Sequence, residues 1–103
     1  MKKFALFIIT FMSFSVWAAE HEVGQKNKEF TVEKITVKKG DTVKFVNLDP
    51  FFHNVFSLSD AKLFDLGSFP QNDSRDVVFD VAGTVEVECA IHPNMLMVIE
   101  VQE

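Results

Sequence analysis

The sequence predicts an all-β fold, an antiparallel Greek-key β-sandwich of about seven short strands. Apolar and polar residues alternate in short runs along the chain, the two-residue period of a half-buried strand. Turn-forming Gly, Pro, Asn and Asp break those runs about every eight to twelve positions. After residue 18 no stretch repeats its apolar residues at helical spacing, and there is no internal repeat or low-complexity segment.

The first 18 residues stand apart from that pattern. Lys2 and Lys3 precede an apolar run from Phe4 to Val16, and small residues follow. This is the layout of a secretory signal peptide, and the run is shorter than the about 20 residues of a spanning helix. Removal of residues 1–18 would leave a domain of residues 19–103, exported to a bacterial periplasm. Cleavage after Ala18 fits better than after Ala19, which would set bulky Trp17 third before the cut. The mature part keeps eight cationic and fifteen acidic side chains, a formal charge of −7. That balance argues against nucleic acid and against anionic membranes, and favours a protein partner with a basic docking face. A monomer is expected. One cysteine cannot form an internal disulfide, so a small domain of this size needs another staple, and a bound metal can supply it.

Taken in order, Phe30 and Val32 alternate, then Ile35 and Val37. The phase slips by one at Glu33-Lys34, which predicts a bulge or bend. Lys39-Gly40-Asp41 turns into a strand with Val43, Phe45 and Asn47 inward. A Pro-containing loop leads to a strand around residues 54–57, and residues 62–66 read as a turn of helix or a short edge strand. "RDVVFDV" is a strand and Ala82-Gly83 a turn. Val85, Val87 and Cys89 then share one face of the next strand, and Met97, Ile99 and Val101 point inward from the last. Cys89 therefore faces the core at a strand end, with His92 and Met95 on the loop beyond it. A loop held between two paired strands is a rigid mount for a site. His21 lies near the mature N-terminus, outside the strand pattern.

The run "ECAIHPNM" places a thiol, an imidazole and a thioether within seven residues. Such a soft, mixed donor set suits copper, and two histidines with one cysteine and a weak axial methionine make the blue-copper arrangement. The second histidine must come from elsewhere, from His53 in "DPFFHNV" or from His21.

These residues resemble the small cupredoxins, the plastocyanin, pseudoazurin and amicyanin family. The resemblance runs through "ITVKKGDTVKFVN", "HNV" and "VAGTVEVECAIHPNM" to the closing strand, and C-x-x-H-x-x-M is spaced as in amicyanin and pseudoazurin. It implies one type 1 copper held by His53, Cys89, His92 and Met95. Two positions depart from the family. Met97 replaces a frequent glycine and stands at the plastocyanin-like distance from His92, a rival to Met95; strand phase turns it into the core instead. Ala90 replaces a frequent Ser or Thr, leaving Asn54 to bond backbone near Ala90.

The resemblance further implies that the edge of His92 is the electron port, with Phe51, Phe52, Pro93, Asn94 and Leu96 as candidates for an apolar patch around it. One of the two phenylalanines is expected to be exposed. Asp49, Asp60, Asp65, Asp73, Asp76 and Glu88 are candidates for steering a basic redox partner. Four protein ligands leave no open position for substrate, so no enzyme is expected. The function predicted is periplasmic single-electron transfer, with a copper carrier or store as the alternative. With cleavage after Ala18, Ala19-Glu20-His21 would also form an amino-terminal Cu(II)-binding arrangement, against the plainer reading of an exposed histidine on a fraying end.

Overall fold

A computed structural model describes residues 18–103 of the chain; all but the last residue of the expected signal peptide lies outside the described residues. Among these residues nine strands form two sheets: β1 (Glu20–Lys26), β2 (Glu29–Phe30), β3 (Lys34–Lys38), β4 (Asp41–Asn47), β5 (His53–Ser59), β6 (Lys62–Phe69), β7 (Ser74–Phe79), β8 (Gly83–Glu88) and β9 (Leu96–Gln102). One sheet has the order β2-β1-β4-β7 and the other β3-β9-β8-β5-β6. Most ladders are antiparallel, as expected; β1 with β4 and β3 with β9 are parallel.

The inward residues read from the sequence form the core. Val37, Val43, Phe45, Val85, Val87, Cys89, Met97, Ile99 and Val101 are all buried between the sheets. The phase slip at Glu33-Lys34 marks a change of sheet: β2 pairs with β1 and β3 with β9, and residues 31–33 cross between the layers. Residues 62–66 belong to the edge strand β6, longer than the short edge strand that the sequence suggested. The sequence reading missed β1 altogether. Its polar make-up hides a strand whose inward positions are Val23 and Gln25. His21, expected outside any strand, sits within it.

The parallel β1 and β4 run together towards one pole. At the opposite pole the buried Asp41 opens β4 and gathers three donors. It accepts hydrogen bonds from the Ala19 N–H, the Lys38 N–H and His21 Nε2, each at 2.9 Å. Burial alone would raise the Asp41 pKa, but these bonds outweigh it and hold the carboxyl at about 2. A folded pKa below the unfolded one stabilises the fold above about pH 4, and this stabilisation disappears as pH falls towards 2. Asp41→Asn should therefore lower stability at neutral pH by roughly 1–2 kcal/mol and flatten acid unfolding between pH 4 and 2. Denaturant midpoints measured across that range test it; an unchanged acid limb would refute it.

Candidate metal centre

Three segments meet at the other pole. The first is the β8–β9 hairpin loop. Glu88 pairs with Leu96 across its neck, so residues 89–95 are clamped at both ends. Within it the Met95 N–H donates to the His92 carbonyl at 2.8 Å, closing a turn with Pro93 at its second position, where a fixed φ favours it. The spacing of Cys89, His92 and Met95 is thus the spacing of a hairpin loop with a β-turn at its far end.

The second segment joins β4 to β5. Asn47, buried at the end of β4, donates its side-chain N–H groups to the carbonyls of Phe51 and Phe69 and accepts from the Asp49 N–H. That fastens the loop and delivers His53 at the first position of β5, opposite Phe69. The third is the β1–β2 turn, where Asn27 and Lys28 both have positive φ, 57° and 61°. Two such residues in succession suit a two-residue hairpin, although a lysine pays for the left-handed conformation.

Asp49 ties the second and third segments together. Its carboxylate, 3% exposed, accepts the N–H groups of Asn27 (2.7 Å) and Lys28 (3.0 Å) and faces His53 Nε2 at 2.7 Å. Burial opposes ionisation, yet the bonds from His53 and the two backbone N–H groups hold its pKa below the ordinary value. An ionised carboxylate only accepts, so His53 must carry its proton on Nε2. In the neutral ring Nδ1 then carries a free lone pair.

That lone pair faces the thiol. Cys89 Sγ lies 3.7 Å from His53 Nδ1 and 3.8 Å from His92 Nδ1, and the three donor atoms lie within 4.8 Å of one another. A trigonal ion with bonds of about 2.0–2.3 Å has edges of about 3.8 Å between sulfur and nitrogen. The donors present fit one such ion. His53 and Cys89 are buried, and His92 keeps partial exposure. Burial foremost lowers the His92 pKa, the Lys28 ammonium adds to this and Asp49 opposes it. Asn54 Oδ1 accepts the Ala90 N–H at 2.9 Å, the backbone tie expected despite the alanine.

Residues 18–102 match the family model of copper-binding proteins, plastocyanin/azurin family. The chain belongs to that family. As a small cupredoxin it has copper as its cofactor, and His53, Cys89 and His92, with Met95 in the same loop, fit a single type 1 ion. Solved structures agree on the fold. An amicyanin variant in its Cu(I) form is 22% identical, with a TM-score of 0.74 over 87% of each chain. A purple cupredoxin from Nitrosopumilus maritimus is 19% identical, with a TM-score of 0.71 over 80% of this chain and 99% of its own. A copper-containing nitrite reductase from Thermus scotoductus SA-01 reaches 0.77 at 21% identity, covering 92% of this cupredoxin but only 25% of that enzyme. No curated protein sequence matches.

Other expected site residues divide. Met97 packs in β9 opposite Val87, as strand phase required, and both methionines are 1% exposed. Phe51 and Phe52 are both exposed, not one of them, as is Leu96. Asp49 is no surface steering group; it is buried behind His53. The sequence reading missed that role, although an acid four residues before a ligand candidate was a signal to be had. His21 is remote from the centre, bonded to Asp41 in β1, so the fraying-end reading is corrected as well.

Proposed function

We propose that this cupredoxin carries single electrons between redox proteins in a periplasm. His53, Cys89 and His92 are its equatorial copper ligands, Met95 is the axial one, and the partly exposed edge of His92 is the port. The observation that carries the reading is the geometry of the donor set. Three donor atoms already stand at coordination spacing, two of them buried and the third backed by the loop that carries it. Copper bound there supplies a one-electron couple. The residues hold their places through Asp49, Asn47 and the clamped loop, so little needs to rearrange when the charge changes. His21 stays committed to Asp41 at the far pole, which counts against a second copper and against the amino-terminal Cu(II) arrangement. We read the protein as no enzyme, its resemblance to a quarter of a reductase being one of fold.

Export with removal of residues 1–18 completes the proposal. Among the described residues no helix is long and apolar enough to cross a membrane. The charge of −7, with Asp60, Asp65, Asp73 and Asp76 exposed and Glu88 half-buried, favours a basic partner at long range. Copper loading followed by visible and EPR spectroscopy tests the centre. An intense thiolate-to-copper band with fast electron self-exchange is expected. A coloured protein that exchanges metal readily but electrons slowly would mark a copper carrier, and a colourless oxidised sample would refute the centre.

A further inference from the structure

We propose that the Lys28 ammonium is a cationic rim on the electron port, and that the redox partner sets a carboxylate against it. This rests on the electron-carrier reading, but its observations are separate. Lys28 belongs to the β1–β2 turn, and its own N–H and that of Asn27 are held by the carboxylate that also holds His53. One buried group therefore fixes both a ligand and the base of this lysine. From there the side chain reaches over Phe51, with Nζ 5.9 Å from the ring centroid. The Phe51 ring in turn lies 5.5 Å from the His92 ring and 5.3 Å from that of His53.

Among the described residues no acidic side chain pairs with Lys28. Phe51, Phe52 and Ile91 on the adjoining loops, and Leu96 at the start of β9, are exposed apolar residues. A partner docking on them excludes water from the ammonium, which then requires a counter-charge in the interface. The charge at the point of contact is thus opposite to that of the whole molecule. Long-range attraction and close docking select different features of the same partner. An apolar patch with a carboxylate at one side fits this port; a wholly basic one does not.

Small redox ions read the rim directly. The Cu(I) protein is mixed in stopped flow with anionic hexacyanoferrate(III) or with cationic tris(phenanthroline)cobalt(III). Either takes one electron, copper going to Cu(II) as iron goes to Fe(II) or cobalt to Co(II). Lys28→Gln is compared with Lys39→Gln at the opposite pole, which removes the same charge from the molecule. At low ionic strength Lys28→Gln should slow the anion roughly three- to ten-fold and speed the cation, while Lys39→Gln moves both much less. Equal effects of the two substitutions in a coloured protein would overturn the rim alone. Colourless protein in every variant would overturn the copper centre and the rim with it.

Discussion

Cys89→Ser, loaded with Cu(II), should show no visible thiolate charge-transfer band. A serine hydroxyl does not ionise at neutral pH and gives copper no soft anionic donor, whereas a metal-bound thiol loses its proton outright. Copper affinity should fall by more than the roughly 10- to 100-fold that loss of an outer-sphere partner costs. Stability without metal should change by only about 1–2 kcal/mol, because the new hydroxyl meets Asn54 Oδ1 and His53 Nδ1 where the sulfur did. The readout is clean. The mature region has neither Trp nor Tyr, so little else absorbs in the near ultraviolet. A Cys89→Ser protein that keeps the band would disprove the assignment of the sulfur.

Asp49→Ala should be the most damaging change outside the ligands themselves. It removes one acceptor from three donors at once: two backbone N–H groups of a positive-φ turn and the ring N–H of His53. Leaving buried donors unmade costs about 1–3 kcal/mol each, tempered where water reaches the turn, so a total on the order of 3 kcal/mol is expected. His53 would also lose the bond that selects its tautomer, and copper affinity should drop roughly 10- to 100-fold. Asp49→Asn keeps one acceptor oxygen and should fall between. Urea midpoints and competitive copper titrations check the two effects separately. Loss of stability with unchanged affinity would confine Asp49 to the turn.

How much of this was legible beforehand follows from the range of each interaction. The strands β3, β4, β8 and β9 announce themselves because alternation is local and their inward residues are Val, Ile, Phe and Met. The Cys89–His92–Met95 spacing is local too, being that of one hairpin loop. β1 escaped because its inward face carries Gln25, a fully buried amide with no partner among the described residues, and because parallel pairing with β4 leaves no turn signal between the two. Asp49 escaped for a similar reason. Two of its three carboxylate partners are the backbone N–H groups of Asn27 and Lys28, and nothing near residue 49 reports a turn that far away. Only its spacing of four from His53 sets it apart from a surface acid.

The depth of Cys89 bears on the protein before it ever meets copper. An oxidising compartment is hostile to a solitary sulfhydryl, which tends to cross-link to other molecules or to climb through sulfenic to irreversible acids. At 1% exposure Cys89 offers an attacker almost no surface, and the half-buried imidazole of His92 stands 3.8 Å from its sulfur. A chain exported as proposed can therefore wait for metal without its thiol being spoiled, and the same wall that keeps solvent from the bound ion first preserves the atom that will hold it.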